Sequence, residues 1–227
     1  MKSTGTVPDI EIIYEDNHLL AVSKPKGLLS QEDYTGNPDL LTICKEYLKR
    51  EYNKPGNVFL GLLHRLDRPV SGVMLLAKTS KAASRISEQI RQRRLKKTYL
   101  AVVEGEAPEN GLLTHYLKKQ KDTNITRVVS RQSKRAKLAE LMFDRINHKD
   151  GLSLLKITLI TGRPHQIRVQ LAHEGLPIRG DKKYGTGKHQ EIALHACELI
   201  VEHPTLKKEL KFQSNPPKVI PWIYFDL

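Results

Sequence analysis

Short runs of apolar residues, each closed by turn residues, recur along the chain and predict a structure built mainly from β-strands. Runs this short, rich in aliphatic and β-branched side chains, favour strands over helices, which need longer periodic segments. Sequences such as Pro-Glu-Asn-Gly and His-Lys-Asp-Gly between them are typical of turns. The predicted strands cover residues 10–14, 18–23, 58–63, 72–78, 99–104, 139–146, 152–160, 192–202 and 209–212, and a last apolar segment, 219–225, finishes the chain.

Three segments carry apolar residues at helical spacing instead. Helices are predicted at 40–52, from a cap at Thr79 or Ser80 to about residue 94, and from about 164 to 173. Pro164 suits a first helical turn, and Gly175 suits the end of that helix. Many strands with three main helices predict an α+β fold with a mixed, largely antiparallel sheet and flanking helices.

The 227 residues are enough to bury one substantial core. We expect a flexible tail at residues 1–8 and one domain over 9–227. No apolar run approaches the roughly 18 residues that span a bilayer, and the first residues lack the apolar core of a signal peptide. Cys44 and Cys197 are far apart in sequence, which favours two reduced thiols in a cytoplasmic protein.

Positive charge changes the interpretation from a generic globular protein to one that binds a polyanion. Lys and Arg number 38 against 25 Asp and Glu, a net charge of +13. Residues 81–137 hold 15 basic and 5 acidic residues, a net excess of 10. An anionic membrane surface would need a basic helix with bulky apolar residues opposite, and 80–95 offers mostly small residues suited to core packing. Nucleic acid is therefore the favoured partner.

Much of this charge belongs to a basic strip, which we define by Arg91, Arg93 and Arg94 together with Lys96, Lys97, Lys118, Lys119, Lys121, Arg131, Lys134, Arg135 and Lys137. The strip could position a nucleic-acid backbone through phosphate contacts, or it could be a solvated charged face. Its later part, within 112–137, is polar and weakly patterned, as expected of a long hairpin or a mobile loop.

The segment His64–Gly72 carries the strongest candidate for chemistry. It places Asp67 between Arg65 and Arg68, and predicted core strands lie on both sides. A carboxylate held beside guanidinium groups and shielded from water can act as a nucleophile or a base. The same residues could equally form a structural turn, so the segment alone leaves both interpretations open.

Two further segments add candidate side chains. Tyr99 begins a predicted core strand, where its ring could stack on a planar substrate and its hydroxyl could move a proton, or where it could be an ordinary strand tyrosine. In the segment TGRPHQIRVQL, Arg168 stands between apolar residues, while Arg163 and His165 lie around the start of the predicted helix. A buried Arg needs an anion, for which Asp67 is the natural candidate; the alternative is a surface Arg.

Other chemistries lack their signatures. The sequence contains no HExxH, GxSxG, Walker A or GxGxxG pattern. The histidines show no compact ligand spacing, and the cysteines do not complete one. The sequence therefore predicts that no metal takes part in catalysis.

Taken together, HRLDRPVSG, KTYLAVVEG, TGRPHQIRVQLAHEGLPIRGD and the early KPKGLL resemble the RNA pseudouridine synthases of the RluA type. The resemblance runs from about residue 10 to the C-terminus, with four motifs in the expected order. Val70 stands where the family often has Thr. No additional RNA-binding domain of the S4 type is expected, because only a tail and one predicted strand pair precede the Lys24 motif.

The resemblance implies isomerisation of uridine to pseudouridine in RNA, in an active-site cleft across the sheet, without metal or organic cofactor. It assigns Asp67 as the catalytic carboxylate, Tyr99 as the active-site tyrosine and Arg168 as the partner of Asp67. Arg65 matches the position thought to fill the stack when the uridine flips out, a step that costs a few kcal/mol. The other expected RNA contacts are His64, Arg163, His165, Arg91, Arg93 and Arg94.

The expected partner is an rRNA or tRNA stem-loop, bound by a monomer without an obligate protein partner. Two rival classes stay open at this point. An RNA-binding protein could keep the fold without catalysis, although the joint presence of Asp67, Tyr99 and Arg168 argues against it. A glycosylase would also flip a base and use a carboxylate, whereas a zinc deaminase would need a metal signature that the sequence lacks.

Overall fold

The computed structural model describes residues 10–120, 123–187 and 191–225. The chain forms two compact units, the first running to Arg94 and including Leu199–Ser214, the second formed by Leu95–Glu198 and the residues from Asn215 on. The predicted tail at 1–8 and Lys121 lie outside the described residues, and the single domain stays a prediction. None of the helices described is long and apolar enough to cross a membrane.

Eleven strands and three α-helices make up the described structure, and they confirm the predicted α+β class. The strands are β1 Glu11–Glu15, β2 Leu19–Lys24, β3 Gly61–Leu62, β4 Ser71–Ala77, β5 Lys96–Glu104, β6 Asn110–Lys119, β7 Thr126–Val129, β8 Lys137–Lys149, β9 Leu152–Leu159, β10 Leu194–Glu202 and β11 Glu209–Gln213. The helices are α1 Leu40–Glu51, α2 Ser80–Arg91 and α3 Gln166–His173, and Trp222–Phe225 forms a 3-10 turn.

In the first unit, β2 pairs with β1 on one side and with β4 on the other, both antiparallel. Strand β4 is buried from Gly72 to Ala77 and β2 from Leu19 to Val22, so both contribute continuous apolar runs to the core rather than alternating ones. The register sets Lys24, the last residue of β2, opposite Gly72 near the start of β4. Lys24 therefore lies at the end of a core strand, close to the loop that carries Asp67.

Helix boundaries in this unit follow the capping residues. The Thr79 hydroxyl accepts a hydrogen bond from the Ala82 N–H at 3.1 Å and starts α2, so of the two predicted caps, Thr79 and Ser80, the structure has Thr79. The Asp39 carboxylate accepts from the Thr42 N–H at 3.0 Å and starts α1 in the same way. Both helices thus begin where a side chain replaces a missing helical acceptor.

The second unit is built on long antiparallel strands in the order β5-β9-β8-β6-β7. Asp150 and Gly151 join β8 to β9, and both have positive φ, 52° and 71°. Two such residues form the tight hairpin turn whose twist matches the strands, which is why the Asp-Gly sequence predicted this pair well. Helix α3 contacts β6 and β7, and Val169 packs with Leu117 and Ala139.

The structure decides one open alternative and differs from the predicted elements elsewhere. Within 112–137, the described residues Tyr116–Lys119 of β6 and Thr126–Val129 of β7 pair antiparallel as the β6–β7 hairpin, so the hairpin alternative is the one observed. Helix α3 begins at Gln166 rather than at about residue 164. His165 has a left-handed φ of 55°, so it cannot be part of the right-handed helix that follows it. The predicted strand at 58–63 is paired only over Gly61–Leu62.

Candidate active site

The loop that carries Asp67 between β3 and β4 is fixed by hydrogen bonds in which at least one partner is a main-chain group. The Ser30 hydroxyl donates to the Leu66 carbonyl at 2.7 Å and accepts from the Leu66 N–H at 3.1 Å. On the other side of Asp67, the Arg68 carbonyl accepts from the Gly27 N–H at 2.8 Å, and the Arg68 Nε donates to the Gly27 carbonyl at 3.0 Å. The backbone on both sides of Asp67 is therefore held by residues 27–30.

Lys24 ties this loop to the core strand β2. Its side chain is fully buried, and its Nζ donates to the carbonyl oxygens of Leu28 at 2.8 Å, Pro25 at 2.9 Å and Arg68 at 3.2 Å. Burial lowers the pKa of Lys24 to about 7, and the negative charge of Asp67 acts in the opposite direction. Three main-chain acceptors and one nearby carboxylate thus surround the only cation among the fully buried side chains that the structure describes.

His64 and Arg65, both predicted RNA contacts, lie next to this loop in the same unit. The His64 Nε2 accepts from the Leu75 N–H at 3.0 Å, which anchors the half-buried ring to β4. Since Nε2 is an acceptor, the proton of the neutral ring sits on Nδ1. Arg65 is exposed, so its guanidinium is accessible to a nucleic acid. Their roles in RNA binding stay predictions.

Arg168 is buried on α3 in the second unit, as its apolar flanks predicted, and its partner there is Asp181. The Nε and Nη2 atoms each lie 2.7 Å from one Asp181 carboxylate oxygen, and the two side chains are only 7% and 1% exposed. Burial alone raises the pKa of Asp181, but the Arg168 hydrogen bonds and charge outweigh it and lower that pKa. The predicted pairing of Arg168 with Asp67 joins residues of different units and stays a prediction.

Tyr99 is buried on β5, where it lies opposite Ile157 of β9. Lys97, two residues earlier, shares its face of the strand, since side chains alternate along a β-strand. Burial lowers the pKa of Lys97 to about 8. A tyrosine and a lysine that loses its proton more readily than usual therefore share one face of the sheet, on which the neighbouring residues are mostly apolar.

Arg163 and His165 stand in the turn before α3 and have defined contacts. The Arg163 Nε donates to the Leu138 carbonyl at 2.8 Å, and its main-chain N–H donates to the Gln166 side-chain oxygen at 2.9 Å. The His165 Nδ1 lies 2.6 Å from the Tyr184 hydroxyl. Both residues thus help to shape the N-terminal end of the helix that carries Arg168, and their contact with RNA stays a prediction.

The arginines that open the basic strip are exposed, and two of them have acidic neighbours. Arg91 binds Glu88 through its Nε at 2.9 Å, and Arg94 lies 3.7 Å from Glu202. Arg93 follows α2 with a positive φ of 56°. Because two carboxylates partly neutralise this end of the strip, its attraction for phosphate is weaker than the sequence count implies.

One group of three described side chains has the residue types of a metal site: His115, His173 and Glu174, whose ligand atoms lie within 4.8 Å of one another. The neighbouring Gln170 argues against it. Its amide nitrogen lies 3.2 Å from two main-chain carbonyls and 3.1 Å from the His115 Nδ1, and an amide nitrogen cannot accept a hydrogen bond from a protonated Nδ1. The His115 proton then belongs on Nε2, 2.9 Å from Glu174. A metal on Nε2 would need that proton on Nδ1, where it would meet the amide N–H.

Lys24, Asp181 and Tyr184 belong to these sites but were not predicted from the sequence. KPKGLL was noticed as part of a resemblance, and a lysine directly after the apolar run Leu-Leu-Ala-Val could have suggested burial. RGDKKYG, which carries Asp181 and Tyr184, has no hydrophobic period that would place it beside α3. Their contribution follows from how the chain folds back after Gly175.

Comparison with solved structures defines the class of protein. The structure matches that of human RNA Pseudouridylate Synthase Domain Containing 4 with a TM-score of 0.76 and 26% sequence identity, over 92% of this chain and 89% of the human one. A fold shared over nearly the whole of both chains places this protein in the class of RNA-modifying isomerases called pseudouridine synthases.

Sequence comparison gives the family. Residues 18–173 match the RNA pseudouridylate synthase family. The chain is 31% identical over 228 residues to tRNA pseudouridine synthase C of Vibrio parahaemolyticus, spanning 91% of this chain and 90% of the relative. It is 38% identical over 204 residues to Ribosomal large subunit pseudouridine synthase C of Buchnera aphidicola subsp. Acyrthosiphon pisum, spanning 85% of this chain and 63% of that relative. The chain belongs to the RNA pseudouridine synthase family, and the predicted RluA-type resemblance is confirmed.

Proposed function

We propose that this RNA pseudouridine synthase modifies uridines in tRNA or rRNA stem-loops, with Asp67 as its catalytic carboxylate. The observation that carries the role of Asp67 is the backbone fixation of its loop on both sides, at Leu66 and Arg68. A reacting group held in place before the substrate arrives avoids much of the entropic cost of reaction. The choice of RNA draws its support from the names of the two relatives, one a tRNA enzyme and one a ribosomal enzyme.

The reaction exchanges one bond for another at the ribose. The C1′–N1 bond of uridine breaks, and a C1′–C5 bond forms. C5 loses a proton and N1 gains one, so the mass of the RNA does not change. The base must first leave the stack, at a cost of a few kcal/mol, which phosphate contacts with basic residues can offset. In this proposal the exposed Arg65 fills the space that the flipped base leaves in the stack, and Tyr99 stacks on the uracil. Arg168 keeps the Asp67 carboxylate negatively charged.

We further propose that the enzyme works in the cytoplasm as a monomer and needs no metal, organic cofactor or protein partner. The experiment uses unmodified tRNA and rRNA, the purified protein, and chemical mapping of pseudouridine. Wild type should create new sites in the presence of a chelator, and Asp67→Ala should create none. Asp144→Asn, which removes an exposed carboxylate on β8, is the matched control and should act like wild type.

Each other outcome has a defined meaning. Equal modification by wild type and Asp67→Ala would remove Asp67 from catalysis. Release of free uracil would indicate a glycosylase, because isomerisation releases nothing. RNA binding without modification of any RNA would support the non-catalytic alternative. Loss of activity in chelator would contradict the proposed independence from metal.

A further inference from the structure

Tyr184 lies where three parts of the second unit meet: the turn after Gly180, strand β7 and the beginning of α3. Its hydroxyl accepts from the Thr126 N–H at 2.8 Å and lies 2.6 Å from the His165 Nδ1. Its ring faces Arg168, whose Cζ is 5.3 Å from the ring centroid. One side chain thus touches a β6–β7 hairpin strand, the residue that starts α3 and the buried arginine of α3.

The groups involved fix the sense of one of these hydrogen bonds. A main-chain N–H can only donate, so the Tyr184 oxygen is the acceptor from Thr126. The Tyr184 hydroxyl donates to an unprotonated His165 Nδ1 and accepts from a protonated one, so the contact links the two side chains in either tautomer of His165. His165 also has the left-handed φ of 55° that is costly for a residue with a side chain. The Tyr184 hydroxyl therefore stabilises a strained residue at the start of α3.

Arg168 is held by the same turn in two directions. The Asp181 carboxylate binds the edge of the guanidinium through two hydrogen bonds of 2.7 Å, while the Tyr184 ring packs against its face. The turn itself is compact, because Asp181 Oδ1 accepts from the N–H groups of Lys183 and Tyr184 at 2.8 and 3.2 Å. The position of Arg168 thus depends on the position of Tyr184.

Strand β7 and its partner β6 form a basic hairpin. Lys118, Lys119 and Arg127 lie in its paired residues, with Lys118 opposite Arg127. Thr126 begins β7, pairs with Lys119 of β6 and is buried, so its hydrogen bond to Tyr184 fixes the hairpin at the end where its two strands are connected. Phosphate contacts made by the hairpin would therefore be transmitted to the turn that holds Arg168.

We propose that Tyr184 is a positioning residue for pseudouridine formation, its hydroxyl anchoring the basic β6–β7 hairpin and its ring orienting Arg168. The inference rests on the proposed function of Arg168 and adds a residue to it. The two parts of the side chain have separable effects. The hydroxyl acts mainly on RNA binding, through the hairpin, and the ring acts mainly on the chemical step, through Arg168.

Two substitutions separate these effects. Tyr184→Phe removes two hydrogen bonds and keeps the ring, so KM for RNA should rise about tenfold while kcat stays within about twofold of wild type. Tyr184→Leu also removes the ring, so kcat should fall about tenfold in addition. Tyr47→Phe is the matched control, because it removes a hydroxyl that binds Glu15 at 3.0 Å in the first unit, and it should change neither constant.

A spectroscopic measurement tests the same link without any activity. In ¹⁵N-histidine-labelled protein, the His165 Nδ1 resonance should shift from its wild-type position in Tyr184→Phe, which loses the hydrogen bond, but not in Tyr47→Phe. Unchanged kinetic constants together with an unchanged Nδ1 resonance in Tyr184→Phe would overturn the proposal. Equal kcat for Tyr184→Phe and Tyr184→Leu would remove the ring from the positioning of Arg168.

Failure of the proposed function gives a different pattern. If wild type modified no RNA, the reaction would be wrongly assigned, whereas the His165 resonance would still show whether Tyr184 holds His165. If Arg168→Ala kept the wild-type kcat, the proposed role of Arg168 would fail. A tenfold loss in Tyr184→Leu would then need another cause, and this inference would fail with it.

Discussion

The buried Lys24 should make the enzyme more stable as pH rises, whereas a lysine held in an ion pair makes a protein less stable as pH rises. The side chain is fully buried, and burial lowers the pKa of Lys24 from 10.5 to about 7. A pKa that is lower in the folded state means that the unfolded chain binds the proton more tightly. The folded state therefore gains stability relative to the unfolded state as pH rises from about 7 towards 10.5.

The size of the effect follows from the two pKa values. Their difference, 10.5 minus about 7, corresponds to about 5 kcal/mol over the complete titration. Between pH 6 and pH 9 the contribution of Lys24 to the free energy of unfolding should improve by about 3 kcal/mol. Such a change is large compared with the 5–15 kcal/mol stability of a typical domain.

The test compares wild type with Lys24→Met, which keeps a chain of similar length without a titrating group. Urea unfolding at pH 6, 7, 8 and 9 gives the free energy of unfolding of both proteins. Wild type minus variant should rise by about 3 kcal/mol across that range. Lys81→Met, at an exposed position of α2, is the control, and its difference from wild type should stay flat.

A flat difference for Lys24→Met would refute the reasoning. It would show that the three carbonyl acceptors and the field of Asp67 offset the cost of burying the ammonium group. Lys24 would then be an ordinary protonated lysine throughout the range.

Two further predictions concern the turn beside Arg168 and the basic strip. A Cβ at Gly180 would lie 1.8 Å from the Glu191 carbonyl oxygen, at a φ of +76°. Gly180→Ala should therefore lower the free energy of unfolding by about 3 kcal/mol or more, measured by urea unfolding, and it should abolish turnover. Gly162→Ala, where no atom lies within 4 Å of the new Cβ, should cost less than about 1 kcal/mol, and equal effects would contradict the steric argument. Replacing Arg91, Arg93 and Arg94 by Gln should weaken RNA binding and flatten its salt dependence, by about one unit of slope for each phosphate that the variant no longer binds. The same charge change at Lys207, Lys208 and Lys211 should leave the slope as it is, and an unchanged slope in the arginine variant would show that end of the strip to be a solvated face.

The sequence predicted correctly those element boundaries that depend on the conformation or hydrogen bonding of residues close together in the chain. Thr79 caps α2 because its hydroxyl reaches an N–H three residues ahead, and Asp150-Gly151 turns β8 into β9 because both residues accept positive φ. The start of α3 was missed because His165 adopts a left-handed φ that its residue type does not favour. Its contact with Tyr184, 19 residues away, helps to stabilise that conformation. No local pattern encodes such a contact.

Lys24 and Arg168 are the buried lysine and arginine among the described residues. They too show which contacts a sequence can predict and which it cannot. Apolar neighbours indicated burial of Arg168, and elementary electrostatics then required an anion. Within its own unit that anion is Asp181, supplied by the turn 13 residues further on.

Lys24 is stabilised differently, since its direct partners are three main-chain carbonyls. Carbonyl oxygens are present at every residue, so no choice of side chain could have revealed them. This difference has a functional consequence. A carbonyl of the Asp67 loop can bind Lys24 only if the backbone adopts one path, and burial of the lysine therefore fixes the backbone next to the Asp67 carboxylate. The backbone at Asp67 thereby gains a defined position, and its carboxylate gains a nearby basic group, both of which suit the proposed role of Asp67 as the catalytic carboxylate.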